Sequence, residues 1–326
     1  IIWRDILIYI YMNKYKYFLT CSIIIKNEQT YIQEWIEHYI KQGVQHFFII
    51  DNGSTDNTLH ILKKYDNITI FNDTRKYPDK QPDMYTENLL PFLKKYVKWN
   101  ILVDADELIF ANHKSSIFNY LKTIPENIHQ IYVIWKMFFG KDNNNTKMQN
   151  ITTRFNYDFL HPPGGKDKHP FLYPHCQSCD VHGTHCHTRQ GCLNLLYFLC
   201  FGKSIFRPDK LAHPVIWIHK QIVQGDTITN FHTPLPPNAP DTCVPFSQPF
   251  NEQNLKECGI YLNHYFLKNK NEYDKRANND VYNTEDTLHP FHAPQNFKKS
   301  HWNYQNFIKL LYNIDSKYLI DEKISS

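Results

Sequence analysis

The chain has 326 residues, of which 42% are hydrophobic and 21% charged, a composition that excludes a disordered polymer. A formal net charge of +4, with no long Lys/Arg run, gives no basis for nucleic-acid binding. The length suits one large α/β domain with appendages or two small domains, and 15% aromatic residues point to a core rich in Tyr and Phe.

Residues 1–16 read as an N-terminal extension. Its first part, Ile1 to Met12, is apolar but interrupted by Arg4 and Asp5, and falls short of the ~20 residues of a membrane span. An amphipathic or buried segment is expected there, with a truncated membrane anchor as the alternative; no other stretch is a candidate span.

Tyr17 to Ile25 is the first predicted strand, ending at the polar break Lys26-Asn27-Glu28. Thr30 and Gln33 have the spacing of a capping box, and Ile32, Trp35, Ile36, Tyr39 and Ile40 recur at helical spacing. Gly43 closes that helix. Val44 to Ile50 is a second strand, followed by the turn-rich Asp51-Asn52-Gly53-Ser54-Thr55-Asp56, which also starts the next helix. Ile68 to Phe71 is a third strand, and Asn72 to Asp83 a loop. Met84 to Tyr96 is helical, with Pro91 a kink or a restart. Strand and helix alternate at short intervals, which predicts a mostly parallel sheet flanked by helices, with ligands bound at the strand carboxyl ends.

Ile101-Leu102-Val103 is a short apolar strand that stops at Asp104-Ala105-Asp106. In extended geometry residues i and i+2 share a side, so the two carboxylates would repel unless a cation joins them. Hard oxygen ligands suit Mg²⁺ or Mn²⁺. The bland alternative is an Asp-rich turn after a strand. Beyond it, Ser115 to Leu121 predicts a short helix, Ile128 to Phe139 a long strand, Gly202 to Phe206 another, and Gln221 to Cys258 a Pro-rich loop. Tyr261 to Tyr265 is apolar around His264, and helical patterns return at 270–277 and 302–312.

Lys26-Asn27-Glu28, Gly43-Val44-Gln45-His46-Phe47, Asp51 to Asp56 and Asp104-Ala105-Asp106-Glu107, in that order, resemble glycosyltransferase family 2-like proteins, and in particular the related family 92 branch. Trp135, Phe139-Gly140, Thr153-Arg154-Phe155, Gly202-Lys203-Ser204-Ile205, His219 and Asn263-His264-Tyr265 extend the resemblance. It implies a GT-A fold over 17–270; the Cys/His-rich segment 156–201, which the family pattern does not require, reads as an insertion, and 271–326 reads as a helical tail. It further implies a glycosyltransferase, expected to be inverting, that takes a nucleotide sugar, such as a UDP-sugar, and a glycan, protein or lipid-linked acceptor; the chain lacks the processive Gln-x-x-Arg-Trp signature, so a non-processive enzyme is expected. Asp104 and Asp106 would hold the metal and donor diphosphate, Asn27, Glu28 and Asp51 the base and ribose, and His264, or failing it His219, would complete the metal site. The acceptor-activating base is expected after Phe139, where Asp180 and Asp209 are candidates.

His175-Cys176-x-x-Cys179-x-x-His182-x-x-His185-Cys186 offers a structural Zn²⁺ set, for which Cys176, Cys179, His182 and Cys186 are chosen; a disulfide staple and free thiols remain alternatives. N-glycosylation sequons at Asn52, Asn67, Asn72, Asn144 and Asn150, one of them inside a ligand-facing motif, favour a cytoplasmic location. Two rival functions stay open: a nucleotidyltransferase, disfavoured because Lys26-Asn27-Glu28 holds no glycine, and a catalytically degenerate binding module stabilised by zinc.

Overall fold

The computed structural model describes residues 14–76, 80–140, 146–151, 153–155, 202–235, 252–268 and 319–321. In chain order the strands are β1 (Tyr17–Ile25), β2 (His46–Asp51), β3 (Ile68–Asn72), β4 (Val97–Leu102), β5 (Glu107–Ala111) and β6 (Ile128–Phe139). They continue with β7 (Thr153–Phe155), β8 (Gly202–Phe206), β9 (Asp226–Thr229), β10 (Pro234–Leu235), β11 (Ile260–Leu267) and β12 (Leu319–Asp321). The helices are α1 (Ile32–Lys41), α2 (Thr58–Leu62), α3 (Gln81–Tyr96), α4 (Ile117–Leu121) and α5 (Glu252–Glu257). Two compact units divide the chain, one from 1–134, 202–242 and 258–262, the other from 135–201, 243–257 and 263–326.

The first unit is built on β1. Leu19, Cys21, Ile23 and Ile25 alternate along it and are all buried, as are Thr20 and Ser22 on the other face. A strand covered on both faces calls for parallel neighbours and crossover helices. β1 indeed pairs in parallel with β2 and with β4, and β2 with β3, giving the order β3-β2-β1-β4. β8 then lies antiparallel to β4, and the sheet continues through β6, β9 and β10. Ile25 is level with Asp51, and Asp51 with Asn72, so the loops after β1, β2 and β3 leave the sheet side by side.

Helix α1 buries the predicted stripe of Ile32, Trp35, Ile36 and Tyr39. The capping box does not form. The helix begins at Ile32, and the amides of Tyr31 and Ile32 donate instead to the Glu28 carbonyl at 3.1 and 2.9 Å, so a backbone turn takes the place of a side-chain cap. Gly43 has φ +87°, and a Cβ there would lie 2.5 Å from Phe118 Cβ; glycine is needed for both reasons. Helix α3 starts at Gln81, earlier than expected, and runs through Pro91 without a restart. Its Met84, Tyr85, Leu89 and Leu93 pack on Phe48, Ile50, Leu102 and Phe206 to form the core on that face of the sheet.

The stretch read as a Pro-rich loop, Gln221 to Cys258, contains β9, β10 and α5. β9 and β10 span only Asp226–Thr229 and Pro234–Leu235, too short for a period to show, and Pro234 sits on the outermost strand, where no ladder amide is required. In the second unit β7 pairs antiparallel with the end of β6, Phe138 opposite Arg154, and β12 pairs antiparallel with β7. Of the stretch expected as a helical tail, only Leu319–Asp321 lies within the described residues, and it is a strand. The helical patterns at 270–277 and 302–312, and the Cys/His-rich insertion with Cys176, Cys179, His182, Cys186 and Asp180, lie outside the described residues. Among the described residues, Cys21 and Cys258 are buried free thiols, and no helix is long and apolar enough to cross a membrane.

Candidate functional site

The loops that follow β1 and β2 are knitted to each other by side chains bonding to backbone. Asn27 adopts φ +59°, a conformation Asn tolerates better than most residues. This turns its side chain so that Oδ1 accepts from the Thr55 amide at 2.7 Å, while its own amide donates to Ser54 Oγ at 3.0 Å. The Glu28 amide donates to Thr58 Oγ1 at 2.8 Å, and the Gln29 amide to Asp56 Oδ2 at 3.2 Å. Asp51, 2% exposed at the end of β2, accepts the Ser54 amide on its carboxylate at 3.1 Å. Asp56 accepts the Thr58 amide at 2.9 Å, which is the start of α2. Turn chemistry and helix start were both anticipated for this motif; the cross-loop clamp from Asn27 was not.

Asn52 and Asp73 extend the rim. Asn52 Nδ2 donates to the carbonyls of Asp73 and Arg75 at 2.7 and 2.9 Å. The Arg75 guanidinium, forked onto the Asp73 carboxylate, holds that acid at about 2, well below its ordinary value.

Asp104 and Asp106 do not lie in an extended segment. The Glu107 amide donates to the Asp104 carbonyl at 3.1 Å, so Asp104 to Glu107 form a tight turn between β4 and β5. The same-side argument from a two-residue period therefore does not apply to this pair. The turn is held from three directions: from α1, from Glu107 within the turn itself, and from β8. Trp35 Nε1 of α1 donates to the Asp104 carbonyl at 3.1 Å, Tyr39 Oη donates to the Glu107 carbonyl at 3.0 Å, and His38 Nε2 donates to the Ile109 carbonyl at 2.7 Å. The stripe that buries α1 is thus also the clamp on the acidic turn. Glu107 Oε2 closes the turn by accepting the Asp104 amide at 2.8 Å.

The third direction is Lys203, on β8. Its Nζ lies 2.8 Å from Asp104 Oδ2 and 3.9 Å from Glu107 Oε2, with the Lys203 side chain 1% exposed and that of Asp104 34%. Burial alone would lower the ammonium's pKa, but Asp104 and Glu107 raise it above the ordinary lysine value. Burial pushes the fully enclosed Glu107 carboxyl well up; Lys203 opposes this, and Asp104 and Asp106 reinforce it. Tyr85 of α3, also buried, has its phenol pushed up by burial and then by Asp104.

Lys203 is placed by a rigid strand. Gly202 passes so close to β6 that a Cβ would lie 2.3 Å from the Val133 carbonyl oxygen. His219 Nδ1, facing the Gly202 carbonyl at 3.0 Å, must carry the proton and donate. Gln221 Nε2 donates to Ser204 Oγ at 3.1 Å and to the Trp217 carbonyl at 2.7 Å. His219 therefore braces the lysine strand. His264 lies on β11 in the other unit, its ring 4.3 Å from that of Trp135.

Asp209 is not at these strand ends. It follows β8, at the opposite end from Lys203, because β8 runs antiparallel to β4. There it accepts from Tyr15 Oη at 2.7 Å and Lys14 Nζ at 3.0 Å, and these two hold its acid strength up against burial. The structure does not bring it together with Asp104.

For a divalent cation, the donor set is small. Among the described residues no group of three or more His, Cys, Asp or Glu gathers to hold a metal. A pair of acids such as Asp104 and Asp106 has hard oxygen donors, the kind that bind Mg²⁺ or Mn²⁺ when phosphate oxygens and water complete the shell. Asp104 has one oxygen engaged by Lys203 and is partly open; Asp106 is largely buried.

A family model for glycosyltransferase family 92 matches residues 16–288. Comparison with curated proteins gives no match. Among solved structures, TarS of S. aureus in complex with UDP is 18% identical, over 39% of this chain and 37% of that one, with a TM-score of 0.28. Glucosyl-3-phosphoglycerate synthase from Mycobacterium tuberculosis in complex with Mn²⁺ and UDP-glucose is 15% identical, over 37% and 44%, with a TM-score of 0.25. A further mycobacterial protein is 16% identical, over 37% and 42%, with a TM-score of 0.26. The chain thus spans about two fifths of the length of the structures it matches.

Proposed function

Because the chain belongs to glycosyltransferase family 92, we propose that it moves a sugar from a nucleotide-sugar donor to an acceptor hydroxyl, in a divalent-metal-dependent, non-processive and inverting reaction. The observation that carries this reading is the strand-end arrangement of the first unit. The loops after β1, β2 and β4 leave one face of one parallel sheet edge, each tied by side chains to backbone. Crevices at carboxyl ends of parallel strands are where such sheets hold nucleotides.

The chain's residues divide the work. Asn27, Glu28 and Asp51 line the loops after β1 and β2 and would receive the base and ribose, where fixed amides and carboxylates orient a planar ligand without reorganising. Asp104, by the oxygen that Lys203 leaves open, and Asp106 would hold the cation with the donor diphosphate. When bound, such a cation stabilises charge developing on the leaving diphosphate. Trp35, His38 and Tyr39 keep the acidic turn in one conformation, so its carboxylate need not be ordered at each turnover. The acceptor is a hydroxyl of a glycan, a protein or a lipid-linked sugar.

The test is a panel of nucleotide sugars with Mn²⁺, followed by release of nucleoside diphosphate and repeated with EDTA. Turnover with at least one donor, abolished by EDTA and restored by Mn²⁺, is the expected result. Neither turnover nor binding of any donor would sink the enzyme reading; turnover that survives EDTA would remove the metal alone.

A further inference from the structure

A buried lysine beside a metal-binding carboxylate needs a reason. Lysine is costly to enclose, and an apolar side chain of similar volume is often no less stabilising than a buried ion pair. Yet Lys203 is 1% exposed, between Asp104 and Glu107, on a strand whose neighbours leave no slack. Gly202 is pressed against Val133, its carbonyl is held by His219, and Ser204 is held by Gln221. Along β8 the side chains alternate, so Gly202 and Ser204 fix the strand on one face while Lys203 points to the other. The ammonium is therefore delivered to a set position, and it engages Oδ2 of Asp104 and not the open solvent.

This has a chemical consequence for the carboxylate. The Asp104 backbone is already fixed by Trp35 at its carbonyl and by Glu107 at its amide. With Oδ2 bonded to Lys203, rotation about both side-chain bonds is restrained as well. One oxygen is left for a cation, and a positive charge stands behind it. We propose that Lys203 is a positioning residue for the transfer reaction: it locks Asp104 into one-oxygen ligation and weakens the bare metal site, so that tight cation binding awaits the donor diphosphate. The inference rests on the metal-dependent reading given above.

The experiment measures Mn²⁺ binding to the full chain without donor, by the loss of the free-ion electron paramagnetic resonance signal, beside steady-state kinetics. Lys203→Met frees Oδ2 and removes a like charge next to the site, so bare Mn²⁺ should bind about tenfold tighter. At the same time kcat should fall about tenfold or more, with donor KM changed far less, because the carboxylate is no longer held. Lys203→Arg keeps the charge and should keep Mn²⁺ affinity near the native value while lowering kcat. A folded Lys203→Met protein with native Mn²⁺ affinity, or one that binds it more weakly, overturns the proposal. Should Lys203→Met not fold, Lys203→Arg decides, since native kcat in that variant is equally fatal. A wild-type chain that binds no Mn²⁺ even with UDP added refutes the metal reading and this proposal with it. Wild-type binding with an unchanged variant refutes this proposal alone.

Discussion

Replacing Asp104 is the obvious test of the acidic turn, and the structure says it will not be a clean one. Asp104 is the closer partner of a buried lysine, 2.8 Å from its Nζ against 3.9 Å for Glu107. Asp104→Ala leaves that ammonium enclosed beside a Glu107 carboxyl that burial has pushed towards its neutral form. Breaking a buried pair from one side costs roughly 3 to 5 kcal/mol. Asp104 keeps 34% of its side chain in solvent, which screens the pair, so the low end, about 3 kcal/mol, applies. At roughly 2 to 4 °C per kcal/mol for a large domain, the melting temperature should drop by roughly 6 to 12 °C. Lys203→Met removes the buried charge and should itself cost less, about 1 kcal/mol, because Asp104 can then turn to water. The double variant Asp104→Ala/Lys203→Met should recover most of the loss, to about 1 kcal/mol, which is a coupling of about 3 kcal/mol. Thermal unfolding followed by circular dichroism reads all three. A double variant as unstable as Asp104→Ala alone would show that the pair is not what holds the turn. Loss of activity in Asp104→Ala could then be read directly as loss of a ligand.

Two further expectations concern the elements around that turn. His38 retains some solvent contact, but its ring lies against Tyr39 and Phe110 and its Nε2 faces a carbonyl, and this desolvation lowers its pKa to about 4. The unfolded chain takes up that proton near pH 6.5, so the stability it represents is complete above that value and is lost as pH falls towards 4. Urea midpoints should decline over this window by the equivalent of about 2 kcal/mol, and less in His38→Gln, whose amide can still donate; parallel declines would refute the assignment. Asn27 has φ +59° and an acceptor bond to the Thr55 amide. Asn27→Gly loses the bond only, whereas Asn27→Ala also strains the backbone, so Ala should be the less stable of the two by about 1 kcal/mol in chemical denaturation. Equal stabilities would mean that the loop relaxes out of the left-handed conformation.

The sheet was legible because its signals are local. β1 and β2 show as apolar runs, α1 as a stripe at helical spacing, and Gly43 as the stop; each follows from neighbours within a few residues. Where the reading failed, a local rule was overruled by its surroundings. Thr30 and Gln33 have the spacing of a capping box, but the chain turns at Glu28, whose carbonyl takes the amides of Tyr31 and Ile32, and the helix begins past Thr30 with Tyr31 at its N-cap. Asp104 and Asp106 follow a strand, which predicts an extended segment, whereas Glu107 folds the chain back at once through a turn. Strands such as β9 and β10 carry too few residues to display a period, and only their partners on the sheet make them strands.

The strand-end acids were legible in the sequence; the lysine that pairs with one of them was not. Asn27, Asp51 and Asp104 each stand at a strand end, and parallel topology alone brings strand ends together. Lys203 stands 99 residues beyond Asp104 in the chain, inside an apolar strand pattern where a charged residue breaks the expected alternation. That break was the available signal: a lone lysine in a buried strand must have a carboxylate partner, because its charge cannot be enclosed alone. The partner could not be named from spacing, since β8 pairs with β4 only after the chain has crossed β5, α4, β6 and β7. The same crossing settles Asp209. A sequence places it six residues from Lys203, but a strand running antiparallel to β4 carries Lys203 towards Asp104 and Asp209 away from it. Closeness in the chain therefore counts for less here than strand direction, and any search for the acceptor-activating base belongs at the end of the sheet to which Lys203 points.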